Sequence, residues 1–158
     1  AVCWDVGAGT GSVSLEMAEC CVDGEVYAVE QKDNACELIE QNKRLLGVTN
    51  VTVVCGKAPD ALSGLPAPTH VFIGGSSGNL RSIMEAALEK DPAVRIVINA
   101  VTAETFAEAM TALETLAVKN EDIVQISAAR GRKAGRYHLM TGMNPVWIIS
   151  CEGGRADG

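Results

Sequence analysis

Short apolar runs alternate with amphipathic stretches along most of this chain. The runs are Val2 to Val6, Glu25 to Glu30, Val51 to Gly56, His70 to Gly74, Arg95 to Val101, Ile123 to Ala129 and Asn144 to Cys151. They are rich in Val and Ile and bounded by Gly, Pro, Asn or Asp, which predicts strands. Arg95-Ile96-Val97-Ile98-Asn99-Ala100-Val101 is almost continuously apolar, as suits a strand covered on both faces. Between the runs, Asp33 to Leu46 sets Ala35, Leu38, Ile39, Leu45 and Leu46 at helical spacing and stops at Gly47. Asn79 to Glu89 and Thr102 to Lys119 read as further helices, the second with Thr102 as its N-cap. Such alternation predicts a doubly wound, mostly parallel α/β sheet. The last two strands are separated only by Arg130 to Met143, which lacks helical periodicity and is short for a crossover. Those strands should pair as an antiparallel hairpin.

The length of 158 residues suits one domain, expected over residues 1–151, with a disordered tail from Glu152 to Gly158. Ala1 enters the first strand directly, and a preceding N-terminal segment is expected to be missing. No apolar run is long enough for a membrane span and no signal peptide opens the sequence, so a cytoplasmic location is expected. A formal net charge of -7 argues against nucleic acid or an anionic membrane as the partner. The six cysteines, Cys3, Cys20, Cys21, Cys36, Cys55 and Cys151, form no C-x-x-C pair and read as buried free thiols. His70 and His138 stand near no cysteine cluster, and no metal site is expected.

The candidate chemistry begins where the first strand ends. Asp5-Val6-Gly7-Ala8-Gly9-Thr10-Gly11 leads into a helix starting near Ser12. Glycines permit a tight turn and close approach of a ligand to the backbone. The helix start offers free N–H groups to a carboxylate. Glu30, closing the second strand, can accept from both hydroxyls of a ribose. A dinucleotide site with G-x-G-x-x-G would want Gly or Ala at Ser12, and an apolar residue at Asp5. The pattern fits S-adenosylmethionine better. Its expected contacts are Asp5, Gly7, Ala8, Gly9, Thr10, Gly11 and Glu30, with Gly56, Lys57 and Ala58 beside the adenine. The expected fold is therefore a class I S-adenosylmethionine-dependent methyltransferase, Rossmann-like, with a seven-stranded sheet ending in an antiparallel hairpin.

A second glycine-rich loop, Gly74-Gly75-Ser76-Ser77-Gly78, follows the fourth strand. With Asp5 to Ser14, Val71 to Leu80, Ile98 to Thr102 and Asn144 to Ile148, it makes nearly the whole chain resemble the decarboxylating precorrin methyltransferases of cobalamin biosynthesis. His70, in place of a frequent Asp, and Asp91-Pro92-Ala93, in place of Pro-Gly-Gly, depart from that family. The resemblance implies methylation at C15 of a tetrapyrrole and decarboxylation of its C12 acetate. It also implies a homo-oligomer, with a tetramer suggested, and fusion to or pairing with a C5-methyltransferase domain. Candidate pocket residues are then Gly74, Gly75, Ser76 and Asn99, and a bulky residue at Gly75 should obstruct the substrate side alone. No catalytic side chain is assigned. Arg130, Arg132, Lys133 and Arg136, with Tyr137 and His138, form a basic cluster suited to the carboxylates of such a substrate. Two alternatives stand beside this reading: a class I methyltransferase acting on RNA, of the tRNA adenosine type, and a non-catalytic cofactor-binding domain.

Overall fold

The computed structural model describes residues 1–154. Five parallel strands come first: β1 (Val2–Val6), β2 (Glu25–Glu30), β3 (Val51–Cys55), β4 (His70–Ile73) and β5 (Arg95–Ala100). The helices between and after them are α1 (Ser12–Cys20), α2 (Asp33–Leu46), α3 (Leu80–Lys90) and α4 (Ala103–Thr115). Then come β6 (Val118–Ile126), β7 (Ala129–Ala134), β8 (Tyr137–Gly142) and β9 (Val146–Gly153). The main sheet has the order β3-β2-β1-β4-β5-β9-β6, with β9 antiparallel to both neighbours. The predicted seven-stranded sheet and its terminal antiparallel pair are both present. No described helix is long and apolar enough to cross a membrane.

Alternation along the strands divides the core between the two faces of the sheet. Cys3, Val26 and Ala28 pack beneath Leu15 and Ala18 of α1 and Ile39 of α2. Trp4, Val6, Ile96 and Ile98 pack on the other face with Leu80, Ile83 and Met84 of α3 and Ala109 and Leu113 of α4. Each large side chain fully buried there contributes roughly 1.5–3 kcal/mol before the entropy of ordering is subtracted. Thr102 caps α4, its side chain accepting from the Thr105 N–H at 3.1 Å. Gly47 ends α2 in the left-handed region, as expected.

Four expectations need correction. α2 buries Cys36 and Ile39, whereas Leu38, Leu45 and Leu46 are exposed. The helix covers the edge of the sheet, so only a narrow line of it finds strands beneath. α4 ends at Thr115 because Leu116 is extended, and β6 starts earlier than expected, at Val118. Glu152 and Gly153 are not tail: they close β9, paired with Arg95 and with Lys119 and Val118. Residues 155–158 of that expected tail lie outside the described residues. Finally, Cys36 and Cys55 form a disulfide, their Cα atoms 6.1 Å apart, because α2 folds back on β3. Cys3, Cys20, Cys21 and Cys151 are free, and only Cys3 and Cys151 of these are buried.

The strand order reverses between β1 and β4, so their following loops leave in opposite directions and open a crevice. The two loops touch at Gly7 and Gly75. A Cβ on Gly7 would stand 2.5 Å from the Gly75 carbonyl oxygen, and Gly7 has φ of 75°. Gly7→Ala therefore meets both a left-handed backbone and another backbone that cannot yield. It should lower stability by about 2 kcal/mol or more, read by urea denaturation. A variant as stable as the parent would mean that this approach is not obligatory.

Candidate active site

The loops after β1 to β4 enclose a cavity of about 160 Å³ at this crevice. Gly7 lies between its two sides. On the β2 and β3 side stand Glu30, Gln31, Lys32, Gly56, Lys57 and Ala58. On the β4 side stand Gly75, Ser76 and Ser77. Backbone hydrogen bonds hang each loop on the neighbouring strand. The N–H groups of Gly7 and Ala8 donate to the Val29 carbonyl, and those of Gly74 and Gly75 donate to the Val6 carbonyl. Gly11 adopts φ of 80° at the start of α1, where a Cβ would press on Ile39. Around Gly9 the space is open.

Glu30 is held by the main chain. Its Oε2 accepts from the Gly9 N–H at 2.9 Å and its Oε1 from the Lys32 N–H at 3.0 Å. A carboxylate has more acceptor sites than these two bonds use, and Glu30 lines the cavity. Two ribose hydroxyls can donate to those that remain. The residues present therefore fit an adenosine-bearing cofactor: an oriented acceptor on one wall and open backbone at Gly9.

Asp5 does not share that role, contrary to expectation. It is 1% exposed and accepts a short hydrogen bond from Ser14 Oγ of α1. It lies inside β1 beneath α1, short of the strand end, and does not line the cavity. Burial pushes its carboxyl up to about 6, the Ser14 hydrogen bonds opposing and the nearby Glu30 charge adding to the rise. Ala8 packs against the α1-side core, and the Thr10 carbonyl accepts from Asn42. Of the ten expected cofactor residues, Gly7, Glu30, Gly56, Lys57 and Ala58 line the cavity, while Gly9 braces Glu30.

A second cavity, about 220 Å³, lies on the other side of the β4 loop. Gly74, Gly75, Ser76 and Asn99 all line it, together with Val101 and Thr105. Gly75 and Ser76 border both cavities, so Gly75 is not a residue of the substrate side alone. Gln31, Lys32, Ser77, Val101 and Thr105 escaped sequence reasoning. Gln31 and Ser77 directly follow expected site residues, Lys32 comes one further on, and all three could have been found by extending each loop. Thr105 sits within α4 and carries no local signal.

The basic cluster is placed differently from expectation. Arg130 to Met143 is no simple link: β7 and β8 form a separate two-stranded arm. Arg130 pairs with Thr141 and Arg132 with Leu139 on one face, while Lys133 pairs with His138 on the other. Arg136, in the turn, donates to Tyr137 Oη. Arg130 and Arg132 line their own cleft with Thr141 and Met143, and none of these residues borders the cavity at Gly74–Ser76. Among the described residues no cluster of ligands could hold a metal. Burial raises the Cys3 and Cys151 thiols to about 11, with Cys21 contributing to the first and Glu121 to the second, so neither is a thiolate at neutral pH.

A cofactor cleft at the switch point, a glycine turn before α1, an acidic β2 terminus and an antiparallel β9 define a class I S-adenosylmethionine-dependent methyltransferase. Residues 1–152 match the precorrin methyltransferase domain family, and the chain belongs to it. A probable cobalt-precorrin-6B C(15)-methyltransferase (decarboxylating) of Pyrobaculum calidifontis is 43% identical over 148 residues, 92% of this chain and 75% of that protein. The crystal structure of precorrin-6Y C5,15-methyltransferase from Geobacter metallireducens superposes with a TM-score of 0.87 at 34% identity, covering 96% of this chain and 80% of the other. Precorrin 8W decarboxylase of Methanobacterium thermoautotrophicum gives 0.84 at 37% identity, covering 94% and 80%.

Two measurements check the roles of the carboxylates. Glu30→Ala should weaken S-adenosylmethionine binding by about 1–3 kcal/mol in calorimetric titration, since it removes the ribose acceptor and frees Gly9. Equal binding would place the ribose elsewhere. For Asp5, the folded value near 6 exceeds the ordinary value of about 3.9. Its contribution to stability is thus fully present below about pH 4 and lost as pH rises through about 6. Asp5→Asn stays neutral throughout. Relative to the parent it should gain on the order of 2 kcal/mol at pH 8 and almost nothing near pH 4. Urea unfolding of both proteins across that range reads the difference, and parallel curves would contradict a buried charge.

Proposed function

We propose that this chain transfers a methyl group from S-adenosylmethionine to C15 of a precorrin tetrapyrrole and decarboxylates its C12 acetate, in cobalamin biosynthesis. One observation carries the proposal beyond family membership: the cofactor cavity and the second cavity share Gly75, Ser76 and Ser77. Only small residues separate the space for a methyl donor from the space for its acceptor.

Bound S-adenosylmethionine supplies an electrophilic sulfonium methyl. Glu30, braced by the Gly9 N–H, would hold its ribose, while Gly7 and Gly75 would let it lie at the meeting of the two loops. The acceptor is an enamine-like meso carbon, already nucleophilic, whose electron pair forms the new C–C bond as the C–S bond breaks. Loss of carbon dioxide leaves its bonding pair in the conjugated ring. Neither step requires a strong side-chain base, so alignment and exclusion of water supply much of the rate. Asn99 and Thr105, polar residues on the second cavity, serve to orient the ring edge there.

The same proposal makes the chain a cytoplasmic homo-oligomer working alongside a C5-methyltransferase domain. The arm supports self-association. Tyr137, Leu139, Met140 and Met143 are exposed on it or beside it, as are Ile123, Val124 and Ile126 of the edge strand β6. A lone two-stranded sheet is marginal in water, and an uncovered edge invites pairing. Arg130, Arg132, Lys133 and Arg136 remain candidates for the substrate's carboxylates. An RNA substrate finds little support in a chain of net charge -7.

Incubation with S-adenosylmethionine and cobalt-precorrin-6B, followed by mass spectrometry, tests the reaction. The expected product has gained one methyl group and lost one carbon dioxide; methylation of tRNA instead would support the rival. Val101→Trp adds the substrate-side control, because Val101 is exposed and borders only the second cavity. It should leave cofactor affinity unchanged and reduce methyl transfer at least tenfold, a barrier increase of about 1.4 kcal/mol. Full activity in this variant would remove the second cavity from the reaction.

A further inference from the structure

Gln31 and Ser77 stand on opposite sides of the cofactor cavity. Gln31 follows the last residue of β2, and Ser77 belongs to the loop after β4; these two strands flank β1 in the sheet. The Gln31 side chain crosses between them, its Nε2 donating to Ser77 Oγ at 3.0 Å. The bond therefore passes over the end of β1, where Gly7 lies between the two sides. Both residues are exposed, so it lies at the mouth of the cavity and not in the core.

The backbone beneath Ser77 is equally specific. Its φ is 50°, and Gly78 follows at 78°. Left-handed conformations are uncommon for residues other than glycine and cost free energy. Serine at that position places a hydroxyl where glycine would place nothing. Gly7 packs on Gly75 two residues earlier, so the stem of the loop is seated while its tip reaches towards Gln31.

We propose that Gln31 and Ser77 form a latch across the mouth of the cofactor cleft, and that opening it sets how fast the cofactor enters and leaves. The inference rests on S-adenosylmethionine occupying this cleft. A bond present both before and after binding must break for passage in either direction. It slows association and dissociation together and leaves affinity nearly unchanged. Because Ser77 borders the second cavity as well, a closed latch also fixes the loop against which the acceptor is placed.

Surface plasmon resonance with S-adenosylhomocysteine as probe reads both rate constants. Ser77→Gly keeps the left-handed backbone and removes the hydroxyl; Gln31→Met keeps the length and removes the donor. Each should raise association and dissociation rates by about fivefold, the effect of one modest hydrogen bond, with little change in Kd. The double variant should be no faster than either single one, since a single bond is lost. Singles at parental rates overturn the latch. Faster dissociation alone makes the side chains ordinary ligand contacts and also overturns it, as do multiplying effects in the double variant. A parent protein that binds no S-adenosylhomocysteine overturns the assignment of the cleft itself, and the latch with it.

Discussion

The approach of Gly7 to Gly75 is the constraint on which the site depends. At the reversal of strand order the loops after β1 and β4 diverge and leave a crevice between them. Here the two backbones touch at its base. The N–H groups of Gly74 and Gly75 donate to Val6, and those of Gly7 and Ala8 donate to Val29. The loops thus hang in sequence from β2 to β1 to β4. A side chain on Gly7 does not fit against Gly75, so the base of the cofactor cavity is set by main-chain geometry, which a flexible side chain could not hold as rigidly.

Two carboxylates close to this junction have been given opposite tasks by their surroundings. Glu30, at the end of β2, is braced by two backbone N–H groups and keeps acceptor capacity on the cavity side. Asp5, one strand away, is enclosed under α1 with Ser14 as its partner. Its hydrogen bond ties the first turns of α1 to β1, so it supports the glycine turn from behind without touching what the turn holds. The cost of that burial is the raised carboxyl of Asp5, to which the Glu30 charge adds. By register the two acids share a face of the sheet, since Asp5 pairs with Ala28 and Glu30 stands two residues further along β2; Glu30 differs by ending its strand beside the cavity, whereas Asp5 lies inside β1 beneath α1.

That distinction also marks what could be read from the residues alone. Features with a backbone purpose were legible: the glycines of the first turn, Gly47 ending α2, Thr102 capping α4, and the strands from Val2 to Ile98. Glu30 and the Gly74–Ser76 loop were legible because each immediately follows or ends a strand at the carboxyl edge of the sheet. Asp5, expected among the cofactor contacts, is buried against Ser14, and the motif gives its place in the chain but not how deeply it sits beneath α1. The Cys36–Cys55 disulfide and the exposure of Leu45 and Leu46 depend on how α2 lies across the sheet edge. Thr105 reaches the second cavity only through the angle at which α4 leaves β5. The arm is not legible because Arg130 to Met143 lacks helical periodicity and carries Gly131, Gly135 and Gly142 among its charges, a composition that resembles loop more than strand.

A methyl transfer of this kind asks little of catalytic side chains. Transfer from a sulfonium to a carbon nucleophile develops little charge that the protein must neutralise, since the sulfonium loses a charge as the bond breaks. A strongly polar pocket would chiefly stabilise the charged ground state and slow the step. What the reaction does require is a short, fixed separation between donor and acceptor, with water kept out. A partition of glycine and serine between two cavities meets that need in a way that larger residues would not. The buried thiols of Cys3 and Cys151 are held protonated and lie outside both cavities, so they offer no competing nucleophile to the methyl group. The Gly74–Ser76 loop and Asn99 line the second cavity, whereas Arg130 and Arg132 of the arm line a cleft of their own.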